Sequence, residues 1–481
     1  MIQEDLSGFR NPKGLVLSFG VRQNMTLDPK LEPVLEEIVA RWGIPGLAVG
    51  IVAGGEIVYR RGFGVQSLAT QAPVTPDSLF CMASITKCFV ASAALQLVEQ
   101  GKLDLDAPLA AYLPDFKLDD ARYTQITTRQ MLSHTAGMPD FGDSEYDALV
   151  ANPAYDEAAP VRLVRSLAER KLIAAPGERF AYSNIAYDVL GYLIAILSGQ
   201  TFESYMQEHV LKPAGMPEST LYFPAAPRDR LAVPHLRTPG MIVNPIYPYH
   251  RADAPASFLH ATLTEMCHWA ITCLKGSRCA GAGILSPASY AQMWTPVAEW
   301  GFPPLYEHIG LGWTLGHFEG VKTVSHGGMG FGWTDFLTLL PEKDCAAVIL
   351  CNEESSARSR LIHAALCAML GSEPQAGTVS WMVPITQALQ SGSVLAAYTC
   401  YEAIKDDPAY FFDADELFDL TYQLRAVQKF DLAIAVLELN LHVFPKHIPS
   451  YLALAEFYRQ TGQNDQAEQL LRQAQNLQST A

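Results

Sequence analysis

The sequence lacks the patterns that mark several common classes of protein. Its nine cysteines are scattered, and no two are separated by only two residues, so neither a zinc site nor a disulfide framework is indicated. There is no HExxH motif and no histidine spacing typical of metal ligands. The GxSxG motif of α/β-hydrolases is also missing. We therefore expect reduced core cysteines and no metal or other cofactor.

Positive charge and long apolar runs are scarce as well. Lysine and arginine total 34 against 50 acidic residues, and no basic run occurs, which argues against a nucleic-acid partner. No apolar run reaches the roughly 18 residues that cross a membrane, and the opening MIQEDLSGFR lacks the pattern of a signal peptide. We expect a cytoplasmic location and no membrane partner. Residues 1–24 show no clear pattern and are interpreted as an N-terminal extension of unclear role.

Strand-like segments stand at both ends of the first 371 residues. An early hairpin is predicted at 46–64, where Gly54-Gly55 provides the turn, and further strands are predicted near 310–319, 336–341 and 345–352. The sequence between about 84 and 300 is predicted to be helical and rich in loops. This arrangement predicts an α+β domain over residues 25–371, with one antiparallel sheet flanked by helices and a large all-helical insertion.

The remainder of the chain is predicted to be all-helical. Residues 372–380 are interpreted as a linker, and 381–481 carry small and large apolar residues in two units 34 residues apart. This pattern is typical of tetratricopeptide hairpins, in which small residues let paired helices approach closely. The alternative is a plain helical cap on the main domain, because two repeats are fewer than the usual minimum of about three. We expect this region to bind a protein partner or to mediate self-association.

The segment FCMASITKCFV (80–90) places a lysine in apolar surroundings one helical turn after a serine. On a helix, Ser84 and Lys87 lie on one face within reach of each other. Apolar neighbours would favour a neutral amine at Lys87, which could then activate Ser84 as a nucleophile. This is the single Ser-x-x-Lys in the sequence. The alternative is a lysine that extends to solvent along an amphipathic helix.

A second motif, Tyr182-Ser183-Asn184, lies at a predicted loop-to-helix junction. The Tyr182 hydroxyl could transfer the proton of Ser84 to a leaving group, and the Asn184 amide could contact a substrate ester or amide. The alternative is an ordinary helix start capped by Ser183.

A third motif, His326-Gly327-Gly328, follows a predicted strand. Glycines here would let a substrate approach the backbone closely. The backbone amides of Met329 and Ser84 could then form an oxyanion hole, with His326 as a further polar group for Tyr182 or the substrate. A lone His-Gly-Gly is otherwise only a turn.

Together, and in this order, the three motifs resemble those of the serine β-lactamase and penicillin-recognising family, in its esterase and D-aminopeptidase-like branch. The segment MLSHTAGMPDF (131–141) is similar to a Leu-x-x-His-Thr-Ser-Gly segment frequent there, and we interpret His134 within it as structural. The resemblance covers roughly residues 30–370. It implies a site between the sheet and the helical region, in which Ser84 is the nucleophile, Lys87 its activator, Tyr182 the general base or acid and Asn184 a substrate contact.

The resemblance leaves the substrate open. Family members that act on β-lactams typically carry Lys-Thr-Gly where this chain has His326-Gly327-Gly328, which weakens the case for β-lactam turnover. The leading hypothesis is a serine hydrolase that forms an acyl-enzyme with carboxylic esters or small amides. The alternatives are a β-lactamase or D-amino-acid peptidase with the same mechanism, and a non-catalytic protein that binds a ligand in a hydrolase-like pocket. Whether Lys87 or Tyr182 takes the first proton is not readable from the sequence.

Overall fold

The fold was obtained as a computed structural model that describes residues 27–391 and 393–480. The predicted N-terminal extension, 1–24, lies outside the described residues. Within them, no single helix is both long and apolar enough to cross a membrane. One pair of helices, Asn184–Ser198 and Phe202–Leu211, has the required length and composition together but is bent by 77°.

An eight-stranded antiparallel sheet forms the centre of the chain. The strands, in chain order, are β1 Gly46–Ala53, β2 Glu56–Gly64, β3 Leu79–Cys81, β4 His235–Thr238, β5 Gly240–Val243, β6 His260–Thr262, β7 Ala298–Phe302, β8 Tyr306–Ile309, β9 Thr314–Phe318, β10 Val321–Gly330, β11 Trp333–Leu340, β12 Cys345–Cys351, β13 Val379–Ser380 and β14 Tyr410–Phe411. The large sheet has the order β2-β1-β12-β11-β10-β9-β8-β7, and the other strands form three two-stranded pairs. The early hairpin and the late strands therefore form one antiparallel sheet, as the sequence predicted, with β1 paired to β12.

Helices cover both faces of the sheet, and further helices follow it toward the C-terminus. They are α1 Leu31–Trp42, α2 Thr86–Glu99, α3 Thr128–Leu132, α4 Asp143–Ala151, α5 Ala159–Ser166, α6 Asn184–Ser198, α7 Phe202–Tyr205, α8 Ala254–Ser257, α9 Leu263–Gly276, α10 Pro287–Met293, α11 Arg358–Leu370, α12 Met382–Leu389, α13 Val394–Ile404, α14 Ala414–Ala426, α15 Phe430–Val443, α16 Ile448–Gln460 and α17 Asn464–Thr480. The insertion between β2 and β7 holds α2–α10, as predicted, but it also holds the short strands β3–β6, so it is mainly helical rather than all-helical.

The central strands are apolar along their whole length because both faces of the sheet are covered. Side chains alternate between the two faces of a strand. In β1, Leu47, Val49 and Ile51 join the apolar cluster that includes α1 and α11, whereas Ala48 and Val52 join the cluster that includes α2, α6 and α9. The turn before β2 uses Gly54 and Gly55, whose φ angles of 61° and 80° fit a two-residue hairpin.

The apolar cluster on the α1 and α11 side continues into the C-terminal helices. Residues of α12 to α16 belong to the same cluster as the sheet residues, and Trp381 lies fully buried within it. The segment predicted as a linker, 372–380, contains the buried Ala376 and ends in β13, which pairs with β14. The C-terminal region therefore shares one apolar cluster with α1, α11 and the face of the sheet that these helices cover. The boundary at 372–380 stays a prediction.

Two consecutive helical hairpins, α14/α15 and α16/α17, form the predicted repeat. Five residues of the first sequence unit are buried between helices: Leu417, Leu420, Leu424, Ala433 and Leu437. In the second unit Leu454, Ala455, Ala467 and Ala474 are buried in the same way. Small residues at the helix contacts allow this close packing.

A buried ion pair lies where the C-terminal helices meet the main domain. The Arg237 guanidinium on β4 contacts Glu353 Oε1 at 3.0 Å, and the two side chains are 7% and 0% exposed. Arg237 also donates to the Trp42 carbonyl, and its backbone N–H donates to Gln423 of α14 at 2.7 Å. Burial raises the pKa of Glu353, and the guanidinium opposes that shift. The pair therefore ties β4 to both the sheet and α14.

We expect Arg237→Met to lower the free energy of unfolding by about 3–5 kcal/mol, because it leaves a buried carboxylate without its partner. Urea unfolding at pH 7.5 measures this change. The matched control is Arg162→Met, which removes an exposed pair with Asp156 and should cost less than about 1 kcal/mol. Similar losses in the two variants would contradict a special role for the buried pair.

Candidate active site

Ser84 lies in a tight turn directly before α2. The turn, Ala83–Ile85, is a 3-10 helix that follows β3. Ala83 has a φ of 41°, a left-handed conformation that is uncommon for a residue with a side chain. Local strain of this kind persists where surrounding contacts enforce it, and it is frequent at functional sites. Here it places the Ser84 hydroxyl beside the first turn of α2, as the Ser-x-x-Lys spacing predicted.

Lys87 is fully buried, and its ammonium group has three acceptors. Nζ donates to Ser84 Oγ at 2.9 Å, to Asn184 Oδ1 at 2.8 Å and to the Ala256 carbonyl at 2.8 Å. An ammonium group carries three N–H donors, so each donor has one partner. This arrangement satisfies a buried charge, and it excludes the alternative in which Lys87 extends to solvent.

Tyr182 provides the second contact to Ser84. Its hydroxyl donates to Ser84 Oγ at 2.9 Å, and its ring centroid lies 5.0 Å from Lys87 Nζ. The ring stacks on His134 at 4.1 Å. The backbone N–H of Ser183 donates to His134 Nδ1 at 3.1 Å, which joins the two motifs. The structure thus brings Ser84, Lys87 and Tyr182 together, and His134 holds the tyrosine in place.

Asn184 connects Lys87 to a carboxylate that the sequence did not identify. Asn184 Nδ2 donates to Asp140 Oδ2 at 3.0 Å, and the Asn184 backbone N–H donates to Asp140 Oδ1 at the same distance. Asp140 therefore fixes the orientation in which the amide oxygen of Asn184 faces Lys87. Asn184 also lines the cavity that opens on Ser84. The contact to substrate stays a prediction, whereas its contact to Lys87 is a second role that the motif alone did not show.

Two buried carboxyl groups lie behind Lys87. Burial raises the pKa of Asp253 to about 7 and that of Asp188 well above its ordinary value, while the Lys87 charge lowers both. Tyr146 donates to Asp253 at 3.3 Å. Burial therefore favours the neutral, protonated form of both carboxyl groups, and the Lys87 charge opposes that effect.

His326, on β10, is buried and neutral at physiological pH. Burial, together with the nearby Lys87 charge, lowers its pKa to about 3. Its Nδ1 donates to the Gly327 carbonyl at 2.7 Å. His326 is only 2% exposed, so the structure places it behind the cavity surface. Its contact with substrate stays a prediction.

The two glycines after His326 allow β10 to approach its neighbours closely. A Cβ atom on Gly327 would lie 2.5 Å from the Tyr306 hydroxyl, and one on Gly328 would lie 2.4 Å from the Met82 carbonyl oxygen and 3.2 Å from the Ser84 nitrogen. Gly328 thus packs directly on the turn that holds Ser84. The predicted oxyanion hole, from the amides of Ser84 and Met329, requires this approach.

We expect Gly328→Val to lower kcat/KM for an activated ester by about 10²-fold, because the added side chain must displace the turn that holds Ser84. Steady-state assays of the variant and the wild-type protein measure the change in kcat/KM, and the unfolding midpoint of each protein checks that the variant is folded. The control is Gly240→Ala, another strand glycine, where the nearest atom to an added Cβ is 3.6 Å away. Equal activity in both variants would argue against the proposed contact between β10 and the nucleophile turn.

A cavity of about 670 Å³ opens on Ser84. Aromatic residues Phe141, Tyr146 and Phe331 form part of its wall, and Met329 and Gly330 contribute the end of β10. Another part of the wall comes from the C-terminal helices, namely Tyr422, Gln423, Arg425, Ala426, Gln428, Phe430 and Gln460. Motif reasoning missed this contribution, since contact between distant segments leaves no local signal.

Comparison with known proteins agrees with this arrangement. A family model described as Beta-lactamase matches residues 31–368, and a tetratricopeptide-repeat model matches residues 424–479. The first match spans well over half of the sequence, so the chain belongs to the β-lactamase family. The repeat match confirms the interpretation of the C-terminal hairpins over that of a plain helical cap.

Individual relatives are distant. The chain is 28% identical over 318 residues to penicillin-binding protein 4 of Amycolatopsis lactamdurans. This alignment covers 64% of this chain and 81% of that protein. It is 24% identical to protein flp of Staphylococcus aureus strain MW2 over 69% of this chain, and spans 65% of the length of flp. Among solved structures, the octameric penicillin-binding protein homologue from Pyrococcus abyssi superposes with a TM-score of 0.62 at 26% identity, covering 72% of this chain and 78% of that one.

Proposed function

We propose that this protein is a serine hydrolase that acts on carboxylic esters or small amides through an acyl-enzyme on Ser84. The observation that carries the proposal is the contact of Ser84 Oγ with both Lys87 Nζ and the Tyr182 hydroxyl, each at 2.9 Å. A nucleophile within hydrogen-bond reach of a base, which is itself oriented by a third group, is the arrangement that covalent catalysis requires.

In the first step, Tyr182 acts as a phenolate: Ser84 Oγ attacks the carbonyl carbon while the Ser84 proton moves to the Tyr182 oxygen. We assign the base to Tyr182 because Ser84 Oγ is the polar contact of its oxygen at 2.9 Å, whereas Lys87 Nζ also contacts Asn184 Oδ1 and the Ala256 carbonyl. The Lys87 ammonium stabilises negative charge on the tyrosine oxygen by Coulombic attraction. The carbonyl oxygen becomes an oxyanion held by the amides of Ser84 and Met329.

The tetrahedral intermediate then breaks the bond to the leaving group, which takes the proton from Tyr182 as an alcohol or amine. This leaves an ester between the acyl group and Ser84. A water molecule then gives a proton to Tyr182 and attacks that ester. When the bond to Ser84 breaks and the carboxylic acid is released, Tyr182 returns the proton to Ser84 Oγ.

Labelling with a fluorophosphonate, followed by a panel of nitrophenyl esters, nitrocefin and D-amino amides, tests the proposal. We expect a stoichiometric adduct on Ser84 and a preference for esters of at least about tenfold in kcat/KM. Adduct formation with nitrocefin or D-amino amides preferred would support the alternative, a β-lactamase or D-amino-acid peptidase. Absence of any adduct would favour the non-catalytic binding protein.

The cytoplasmic location and the protein partner of 381–481 stay predictions. Cell fractionation tests the first. Light scattering of the whole protein over a range of concentrations tests self-association, which requires a mass that increases with concentration.

A further inference from the structure

The acids Asp188 and Asp253 are carried by the two elements that hold the Lys87 ammonium group. Asp188 lies on α6, four residues after Asn184, and Asp253 is the last residue of a 3-10 turn directly before α8. Asn184 and Ala256, from α6 and α8, both accept hydrogen bonds from Lys87 Nζ. Residues four apart on a helix share a face. The two acids therefore stand directly behind two of the three acceptors of Lys87.

These two acids, the acid pair, are buried and contact each other. Asp188 is 1% exposed and Asp253 is 3% exposed, and their carboxyl groups lie in hydrogen-bonding contact. Tyr146 donates to Asp253 Oδ2 at 3.3 Å. Among the described residues, no well-formed hydrogen bond reaches Asp253 Oδ1 or either oxygen of Asp188, although the Ala256 backbone amide approaches Asp188. Three of the four oxygens thus lack the donors that a buried carboxylate requires.

A proton held between the two carboxyl groups accounts for this environment. Ionised carboxylates only accept hydrogen bonds, so a hydrogen bond between two carboxyl groups needs a proton on one of them. Two like charges in such close contact do not both persist in a buried site. Burial raises the pKa of both acids and so favours one proton on the pair, while the Lys87 charge favours ionisation of the other group.

Lys87 in turn requires a negative charge close by. Its side chain is fully buried, and its three hydrogen-bond acceptors are a hydroxyl, an amide oxygen and a backbone carbonyl, none of which carries a charge. A buried ammonium group without a counter-charge is costly. One negative charge on the acid pair balances the positive charge of Lys87.

The other charged groups around the acid pair have partners of their own. Asp140 accepts the Asn184 backbone and side-chain N–H groups at the start of α6. On α5 and in the turn before α8, Arg162 pairs with Asp156 and Arg251 pairs with Glu203. The nearby histidines, His134 and His326, are kept neutral by burial, which lowers the pKa of both.

We propose that Asp188 and Asp253 share one proton, and that the single negative charge of this pair keeps Lys87 in its ammonium form. The inference rests on the proposed function, because that ammonium group stabilises the Tyr182 phenolate during the reaction. Asp188 and Asp253 are positioning residues, since they act through Lys87.

Asparagine variants count the charge on the pair. Asp188→Asn and Asp253→Asn each replace the protonated partner with an amide donor and leave one ionised carboxylate. We expect the pH profile of kcat/KM for nitrophenyl butyrate to match that of the wild-type protein in both. The double variant removes the charge, and its profile should move to lower pH by about one unit or more. Loss of the negative charge makes the Lys87 ammonium less stable and the Tyr182 phenolate more stable.

The control is Asp406→Asn, which removes an exposed negative charge after α13 and should not move the profile. A shift in either single variant overturns the inference, because it indicates two separate charges. An unmoved profile in a folded double variant also overturns it, since the pair then carries no charge. If the wild-type protein does not hydrolyse esters and Ser84 takes no fluorophosphonate label, it is the proposed function that has failed.

Carbon NMR of protein labelled at the aspartate carboxyl carbons counts the proton without any activity and without the double variant. Each single variant lacks one signal of the wild-type spectrum, which assigns the two acids. In Asp188→Asn at pH 7.5, we expect the Asp253 carbon at the chemical shift of an ionised carboxylate, and the reciprocal result for Asp188 in Asp253→Asn. A remaining acid that is protonated in these variants overturns the inference.

Discussion

Replacing Ser84 with alanine is expected to lower kcat/KM for an activated ester by at least about 10³-fold and to abolish labelling by a fluorophosphonate. In the proposed mechanism the change removes the atom that forms the acyl bond, so no acyl-enzyme could form. A factor of 10³ corresponds to about 4 kcal/mol of activation free energy, which is within the range that covalent catalysis provides. Lys87 keeps its bonds to Asn184 and Ala256, and the fold should therefore remain intact.

The measurement is a burst and steady-state assay with a nitrophenyl ester, accompanied by mass spectrometry of the labelled protein. Ser166→Ala, an exposed serine that donates to the Leu163 carbonyl, is the matched control and should behave as the wild-type protein. Turnover by Ser84→Ala at the wild-type rate would place the nucleophile elsewhere.

Tyr182→Phe is expected to lower kcat by about 10²–10⁴-fold with a much smaller change in KM. The loss is of this size because removal of one positioned acid–base group costs that much in typical enzymes. The variant keeps the aromatic ring, which stacks on His134 and lies 5.9 Å from Trp300, so the local packing is preserved.

A comparison of kcat across pH 6 to 9 distinguishes the two candidate bases. Tyr192→Phe is the control, since it removes a hydroxyl from α6 that donates to Asp115 at 3.1 Å, away from the nucleophile. A loss of less than about threefold in Tyr182→Phe would transfer the role of base to Lys87. A large loss with an altered pH profile would support Tyr182 as the group that moves the proton.

The sequence predicted those parts of the site whose residues lie close together in one short segment. Ser84 and Lys87 are one helical turn apart, so helix geometry alone brings them together. The same holds for the two strand groups and the helical insertion, because alternation and glycine turns are local signals. The C-terminal repeats were readable for the same reason, as small residues recur at a fixed spacing.

The supporting groups of the site could not be predicted, because they depend on contacts between distant segments. Asp140 orients Asn184 across 44 residues, and Asp253 approaches Lys87 from α8 and its preceding turn. Isolated aspartates carry no signal of these contacts in a sequence rich in acidic residues. The apolar cluster that joins the sheet to α12–α16 was missed for a related reason, since the segment before it has the composition of a linker.

Two regions of the chain, which match different family models, together form the wall of the cavity that opens on Ser84. The proposed catalytic residues lie within the β-lactamase family match, residues 31–368, whereas part of the cavity wall comes from the C-terminal helices. Mutations in those helices could therefore retune which molecules enter without disturbing the proton-transfer apparatus. Homologues that carry a different C-terminal region on the same domain would then differ in substrate preference more than in mechanism.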